Sequence, residues 1–339
     1  LREISWLAIL GAGLLFLLGW LKRDGVKRAL AWLTQHKKGF LLGAIVFQLI
    51  VMVCAELLIR RDAAVVFKGA FELLKQSSIT NYLSRNPNNI PLFLYEKFFY
   101  VLFGSSGLWV MQVLNMLYVN LGAVLLYKLS QKHFNQKTAD LVYLFYVSLI
   151  CYSPYFYSMY TDIPPLPLIA LQLWWSLDLL KENQAGISWK KMFGLGILSG
   201  VTMLIRPTTI IVMIAFWAVL FFRGNWKVFG KIATVTVMTT GFVFAGLNTA
   251  VNHQRVVPIL KEEGLSKGPL LFINLGLTDM GHNQEDMKEG LLAYIDEDKR
   301  SDYNNGLFKK ENVIKEIKRR LKEYGPFGLI GHIYYKQSL

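Results

Sequence analysis

The sequence predicts an all-α polytopic membrane protein, and three observations predict it. Of 339 residues, 53% are hydrophobic and only 18% charged, where soluble domains carry about a quarter. The mean hydropathy is +0.35. The apolar residues gather into long stretches, and the basic residues fall into the short connections between them. A helix needs roughly 20 apolar residues to cross the hydrocarbon. That criterion draws spans at 5–21, 39–59, 106–128, 139–159, 163–180, 192–205, 208–222 and 232–251, of which 192–205 and 208–222 are short. No stretch shows β-barrel alternation, so backbone polarity requires each span to be helical.

The connections orient the spans. Segments 22–38, 128–138, 181–191 and 223–231 carry Lys22, Arg23, Lys27, Arg28, Lys128, Lys132, Lys137, Lys181, Lys190, Lys191, Arg223 and Lys227 among others. All four fall on one side of an eight-span chain, and basic loops mark that side as cytoplasmic. The net charge of +14 is therefore a topological signal. No nucleic-acid-binding motif accompanies it, and no nucleic-acid partner is expected. The opposite side receives 60–105, the turn at 160–162, the Arg206-Pro207 turn and the tail 252–339. The expected organisation is a transmembrane module over 1–251, with its first outer loop at 60–105, and an extracytoplasmic tail over 252–339. The first span reads as an anchor, because its basic residues follow the apolar run and no A-x-A cleavage site appears.

The loop 60–105 has structure of its own. Over 63–76, Val66, Phe67, Ala70, Leu73 and Leu74 recur at helical spacing opposite Lys68, Glu72 and Lys75, the pattern of an amphipathic interfacial helix. Residues 81–91 read as a polar, turn-rich stretch. The segment 92–103 is apolar, too short to span, and contains Glu96 and Lys97. In the tail, 284–302 is acidic, 308–324 is basic with a helical pattern, and 325–339 reads as the approach to another apolar element.

Little points to metal or redox chemistry. Cys54 and Cys151 lie inside spans and read as small hydrophobes. The five histidines are scattered with no metal-ligand spacing. Three charged positions stand out instead, each at the outer end of a span. Asp62 suits a carboxylate that deprotonates an acceptor hydroxyl or holds a divalent metal at the membrane surface; the competing reading is an N-cap for a helix beginning at 63. Asp162, in Tyr160-Thr161-Asp162-Ile163-Pro164, has the same two readings. Tyr152, Tyr155, Tyr157 and Tyr160 crowd around it as an aromatic belt or a sugar-stacking wall. Arg206 has no acidic neighbour in sequence and suits either phosphate oxygens or lipid headgroups. Arg61 and Arg85 are further candidates for an anion. Glu56 reads as an i,i+4 partner of Arg60, and Asn115, Asn120 and Asn248 as hydrogen-bonding glue between helices.

The order of these features is itself a signature. A span ends in Asp62 and an amphipathic helix follows. Then come Tyr82-Leu-Ser-Arg85-Asn-Pro-Asn88-Asn-Ile-Pro-Leu92, a short aromatic helix ending in Leu102-Phe103-Gly104, a Tyr160-Thr-Asp-x-Pro164 turn and an Arg206-Pro-Thr208 turn. Over about residues 60–250 this resembles the GT-C class of integral membrane glycosyltransferases, in particular the bacterial enzymes related to protein O-mannosyltransferases and aminoarabinose transferases. The resemblance implies a GT-C-like bundle of about eight or more transmembrane helices. It further implies transfer, with inversion, of a sugar from a polyprenyl-phosphate carrier to an extracytoplasmic acceptor: an envelope polymer, a lipid or a protein. Under it Asp62 and Asp162 are the catalytic carboxylates, Arg206, Arg85 and Arg61 meet the donor phosphate, and Tyr82, Asn88 and Tyr160 meet the sugar or acceptor. The family often pairs acidic residues in the first loop. Asp62 stands alone there, so no metal or other cofactor is expected to be required. A lipid-carrier flippase and a non-catalytic partner of an envelope glycosylation complex are the competing functions.

Overall fold

The structure, a computed structural model, describes residues 13, 24–55, 59, 61–182, 188–277 and 309–337. Most of the expected first span, Glu56, Arg60 and the acidic stretch 284–302 lie outside the described residues. Among those described, every regular element is helical. The chain forms two compact units. The larger takes the described parts of 20–75 and 90–256, and the smaller takes 76–89 with the described part of 257–339.

The larger unit contains α1 (Asp24–Gln35), α2 (Lys37–Cys54), α3 (Arg61–Ala70), α5 (Ile90–Phe103), α6 (Gly107–His133), α7 (Gln136–Tyr146), α8 (Leu166–Lys181), α9 (Trp189–Ile205), α10 (Ile210–Phe222) and α11 (Trp226–Asn252). Its helices are greasy on the outside. On α2 only Ala44, Gln48 and Met52 are buried, a single stripe at four-residue spacing. Leu42, Val46, Leu49, Ile50 and Val53 stand 45–75% exposed. A water-soluble helix turns its apolar face inward, so this inversion calls for a hydrocarbon surround. By length and apolarity, α2, the run Pro87–His133 that includes α5 and α6, and α11 can cross a membrane; Pro207–Phe222 is a shorter apolar helix.

Small residues set the closest packing. Gly196 and Gly200, one turn apart on α9, face α11, where an added Cβ would lie 2.6 Å from Thr239 and 2.8 Å from Val243. Thr240 Oγ1 donates to the Gly196 carbonyl at 3.2 Å across that seam. A small-x-x-x-small pair lets helix backbones approach where no hydrophobic effect drives them together. Leu179, Met192, Leu195, Met213, Phe216, Leu220 and Ile232 fill the space among α8, α9, α10 and α11. Ala44, Ala123, Tyr143, Leu144, Val147 and Cys151 do so for α2, α6 and α7.

Some of the polar residues inside this unit join its helices, while others, the buried Glu96 carboxylate among them, have no hydrogen-bond partner among the described residues. Asn120 donates to Gln48 Oε1 at 2.7 Å, and Gln48 donates to the Cys151 carbonyl at 2.7 Å. Gln172 on α8 donates to Thr202 Oγ1 at 2.6 Å on α9. Asn120 is thus the interhelical link its sequence suggested. Asn115 is not: it donates to the carbonyls of Phe156 and Ser158, both at 3.1 Å, and so holds a turn. Cys151 is buried as expected, whereas Cys54 is exposed on the outer face of α2.

The four basic connections meet at one end of the larger unit. Lys37 reaches Asp140 at 3.1 Å and the Tyr127 hydroxyl at 2.6 Å. Asp178, 8% exposed, gathers Lys132 at 2.7 Å, Lys191 at 3.3 Å and His133 at 2.8 Å. Lys191 also pairs with Glu182, and Arg223 donates to the Leu180 carbonyl. Helices α2, α8, α9 and α10 each run from this end to the opposite one.

The elements differ from expectation in three places. The helix expected over 63–76 is α3, which ends at Ala70; Glu72 turns the chain with a φ of 60° and leaves Leu73 67% exposed. The span expected over 139–159 is the eleven-residue α7 followed by a π-turn at Val147–Cys151 and a 3-10 turn at Pro154–Tyr157. The turn-rich reading of 81–91 misses α4 (Gln76–Arg85), which precedes a 3-10 turn at Pro87–Asn89.

The smaller unit builds around α4, α12 (Pro269–Gly276) and α13 (Lys310–Gln337). The Leu260 amide donates to Ser84 Oγ and the Lys267 amide to the Arg85 carbonyl, both at 2.8 Å. Tyr324 on α13 donates to the Leu277 carbonyl at 3.0 Å. The basic helix expected over 308–324 is the first part of α13, which kinks at Gly325-Pro326, where φ at Gly325 is 60°.

Candidate functional site

At the end of the larger unit opposite the basic cluster, three connections converge. The first enters through α3, where Arg61 takes a φ of 54°. The left-handed region costs a non-glycine residue roughly 1–2 kcal/mol, and strain of this kind collects at functional sites. Asp62 sits inside the first turn of α3, and its carboxylate has no hydrogen-bond or ion-pair partner among the described residues. The N-cap alternative is therefore not realised.

The second connection is the turn 152–165. It is pinned from three directions: Asn115 holds the carbonyls of Phe156 and Ser158, Gln48 holds that of Cys151, and Tyr157 donates to the Ala55 carbonyl at 2.8 Å. Beneath it Met52, Val119, Phe156 and Ile163 form an apolar floor. Pro165 occupies the N-cap position of α8. Asp162 does not cap this helix either. It forms an ion pair with Arg206, 44 residues further on.

The third connection places Arg206. Pro207 forces the residue before it out of the helical region. Arg206 accordingly takes φ −147° and ψ 107°, which ends α9 and turns the guanidinium across to the second connection. Besides Asp162 it meets Thr161 Oγ1 at 3.3 Å and Thr208 Oγ1 at 3.2 Å. The arginine side chain is 34% exposed and the aspartate 22%, so a ligand reaches both.

These pieces enclose a pocket of about 820 Å³, lined by Arg61, Asp62, Tyr155, Tyr157, Tyr160 and Asp162 among others. Tyr155 lies within hydrogen-bonding reach of Asp162. Burial, then the negative charges of Asp62 and Asp162, hold the Tyr160 hydroxyl above the usual phenol range against the opposing pull of Arg206. Tyr160 lines the pocket together with both carboxylates. Tyr152, the fourth of the crowd, turns away and donates to the Phe40 carbonyl at 3.1 Å.

A second cavity, of about 350 Å³, is almost wholly apolar. Leu92, Tyr95, Tyr118, Thr161, Leu168 and Ile205 are among its lining residues. Thr161 and Ile205 place its edge beside Arg206. The guanidinium thus pairs with Asp162 of the polar pocket and meets Thr161 of the apolar cleft.

Asp62, Asp162, Arg61, Arg206 and Tyr160 are brought together. Tyr82, Arg85 and Asn88 belong to the smaller unit. There Tyr82 accepts from Asn89 Nδ2 at 2.8 Å, Arg85 ends α4, and Asn88 reaches Asn89 Oδ1 at 3.3 Å. Sequence reasoning missed Thr161 and the positioning role of Asn115; the adjacency of Thr161 to Asp162 was the one available signal. Among the described residues, no three His, Cys, Asp or Glu side chains cluster as metal ligands do.

Fold and site together define an all-α integral membrane protein with a polar pocket at one end of its helices. The chain belongs to the family described as conserved hypothetical integral membrane protein, which matches residues 4–339. No curated protein and no solved structure matches the chain.

Proposed function

We propose that this chain is a multi-pass membrane glycosyltransferase of GT-C type, with about eight spans and its site on the extracytoplasmic side. It moves a sugar from a polyprenyl-phosphate donor to an acceptor of the cell envelope. The observation that carries this reading is the position of Arg206 between the polar pocket and the apolar cleft, in the same constellation as Asp62. An amphiphilic donor has this layout: a sugar for the pocket, a phosphate for the guanidinium, and an apolar chain for the cleft.

In this reading Asp62, without a partner among the described residues, takes the proton from the acceptor hydroxyl. The hydroxyl oxygen attacks the anomeric carbon. The bond from that carbon to the phosphate oxygen breaks, and the lipid phosphate leaves with the electron pair toward Arg206. One displacement gives inversion. Asp162 supports the step by holding Arg206 in place, and Tyr160 hydrogen-bonds sugar hydroxyls between the carboxylates. Preorganised charge at a leaving oxyanion acts at full strength where water is scarce.

The test is Asp62→Asn, expressed in cells lacking the native protein. Removing a general base costs on the order of 10²–10⁴-fold in rate. Glycosylation of the envelope acceptor is expected to disappear while the protein accumulates in the membrane at normal levels. Unchanged envelope sugar content overturns the catalytic reading and favours a transport or assembly role.

A further inference from the structure

The polar pocket has a cation of its own that donor chemistry at Arg206 does not use. Arg61 lines this pocket beside Asp62, and its guanidinium has no hydrogen-bond or ion-pair partner among the described residues. Two carboxylates line the same pocket: Asp162 is engaged by Arg206, and Asp62 forms no ion pair with Arg61. The left-handed backbone at Arg61 persists only because the surrounding structure enforces it. The two arginines also differ in what they border. Arg206 adjoins the apolar cleft through Thr161 and Ile205, whereas Arg61 lines the polar pocket alone. A phosphate that bears a lipid chain therefore belongs at Arg206. At about 820 Å³ the pocket lies toward the upper end of the range for small-ligand sites, which leaves room for part of a second molecule.

The geometry points to a second oxyanion subsite at Arg61, filled by an anionic group of the acceptor next to the hydroxyl that Asp62 deprotonates. The acceptor is then an anionic polyol or glycan, bearing phosphodiester or carboxylate groups, and not a neutral sugar chain. This rests on the glycosyl-transfer reading for the identity of the bound molecule as acceptor. A guanidinium favours such oxyanions because its planar fork matches their geometry.

The experiment uses the full chain in nanodiscs of neutral lipid, so that headgroups do not compete. The probes are a glycerol-phosphate oligomer, a neutral dextran oligomer of matched length, farnesyl monophosphate and farnesyl diphosphate. Arg61→Gly removes the guanidinium, and glycine accepts the positive φ, so the thermal midpoint is expected to hold or rise. Loss of one charge-assisted contact is expected to weaken the glycerol-phosphate oligomer about tenfold and to flatten its salt dependence. Dextran and farnesyl monophosphate binding stay unchanged.

Equal loss for the anionic and neutral oligomers, no loss for either, or a wild type that binds neither overturns the subsite. Loss confined to farnesyl diphosphate gives Arg61 to a second donor phosphate and overturns the acceptor assignment. The transfer reading fails separately, by equal binding of farnesyl monophosphate to the wild type and to Arg206→Gln.

Discussion

At the scale of single residues, the site depends on side chains that never touch a ligand. Asn115 is the clearest case. Its amide holds two carbonyls of the turn that carries Tyr160 and Asp162, and it is 3% exposed. Asn115→Leu leaves both acceptors buried without a donor, at a cost of about 1–3 kcal/mol. The expected outcome is a lowered thermal midpoint together with weakened donor binding, measured on the purified protein. Asn115→Asp is expected to be worse, because a carboxylate repels the same carbonyls. A variant that binds donor normally overturns the positioning role. The sequence offered only part of this. Asp62, Asp162 and Arg206 stood out because charge at the end of an apolar span needs a reason, but nothing local links Asp162 to Arg206 across 44 residues. Asn115 looked like any polar residue within a span, since the acceptors it serves are backbone atoms and leave no mark in composition.

At the scale of elements, apolar runs were legible and their interruptions were not. Six of the expected spans coincide with helices of the larger unit and a seventh, 139–159, does so only in its first part, because runs of Leu, Ile, Val and Phe cannot satisfy their backbone in lipid any other way. The π-turn after α7 is invisible to that logic. Its last carbonyl, that of Cys151, is held by Gln48 from another helix. Helix α4, with the sequence QSSITNYLSR, is too polar to announce itself and is held by amides of residues 260 and 267. The seam between α9 and α11 was there to be read in Gly196-x-x-x-Gly200. Its test is Gly200→Leu. A larger side chain meets Val243 and the Thr240 carbonyl, so the helices must separate. Overpacking of this kind costs typically 1–3 kcal/mol, and the expected readout is a lowered midpoint and reduced accumulation. Gly241→Leu, at a glycine with open space around it, serves as the control.

At the scale of the whole chain, the larger unit has two chemically different ends. One collects the basic connections around Asp178 and Asp140, and the other collects Asp62, Asp162 and Arg206. Helix α8, with 16 residues, separates them by about 24 Å at 1.5 Å per residue, a distance comparable with the hydrocarbon thickness. The proposed topology, resting on the positive-inside rule, has Asp62 outside and Lys190 inside. In a background of Cys54→Ser and Cys151→Ser, a membrane-impermeant maleimide is expected to label D62C in intact cells and K190C only after permeabilisation. Labelling of both from the same side sinks the topology.

Asp62, Asp162 and Arg206 enter from three separate stretches of chain, joined only where Asp162 meets Arg206. On the proposed function no contiguous fragment can therefore be active, and transfer becomes a sensor of how these three stretches pack. On the proposed function, a lesion that rotates α9 by a fraction of a turn withdraws the guanidinium and stops transfer while every helix is still inserted. Loss of function in such a protein is to be expected well before loss of fold.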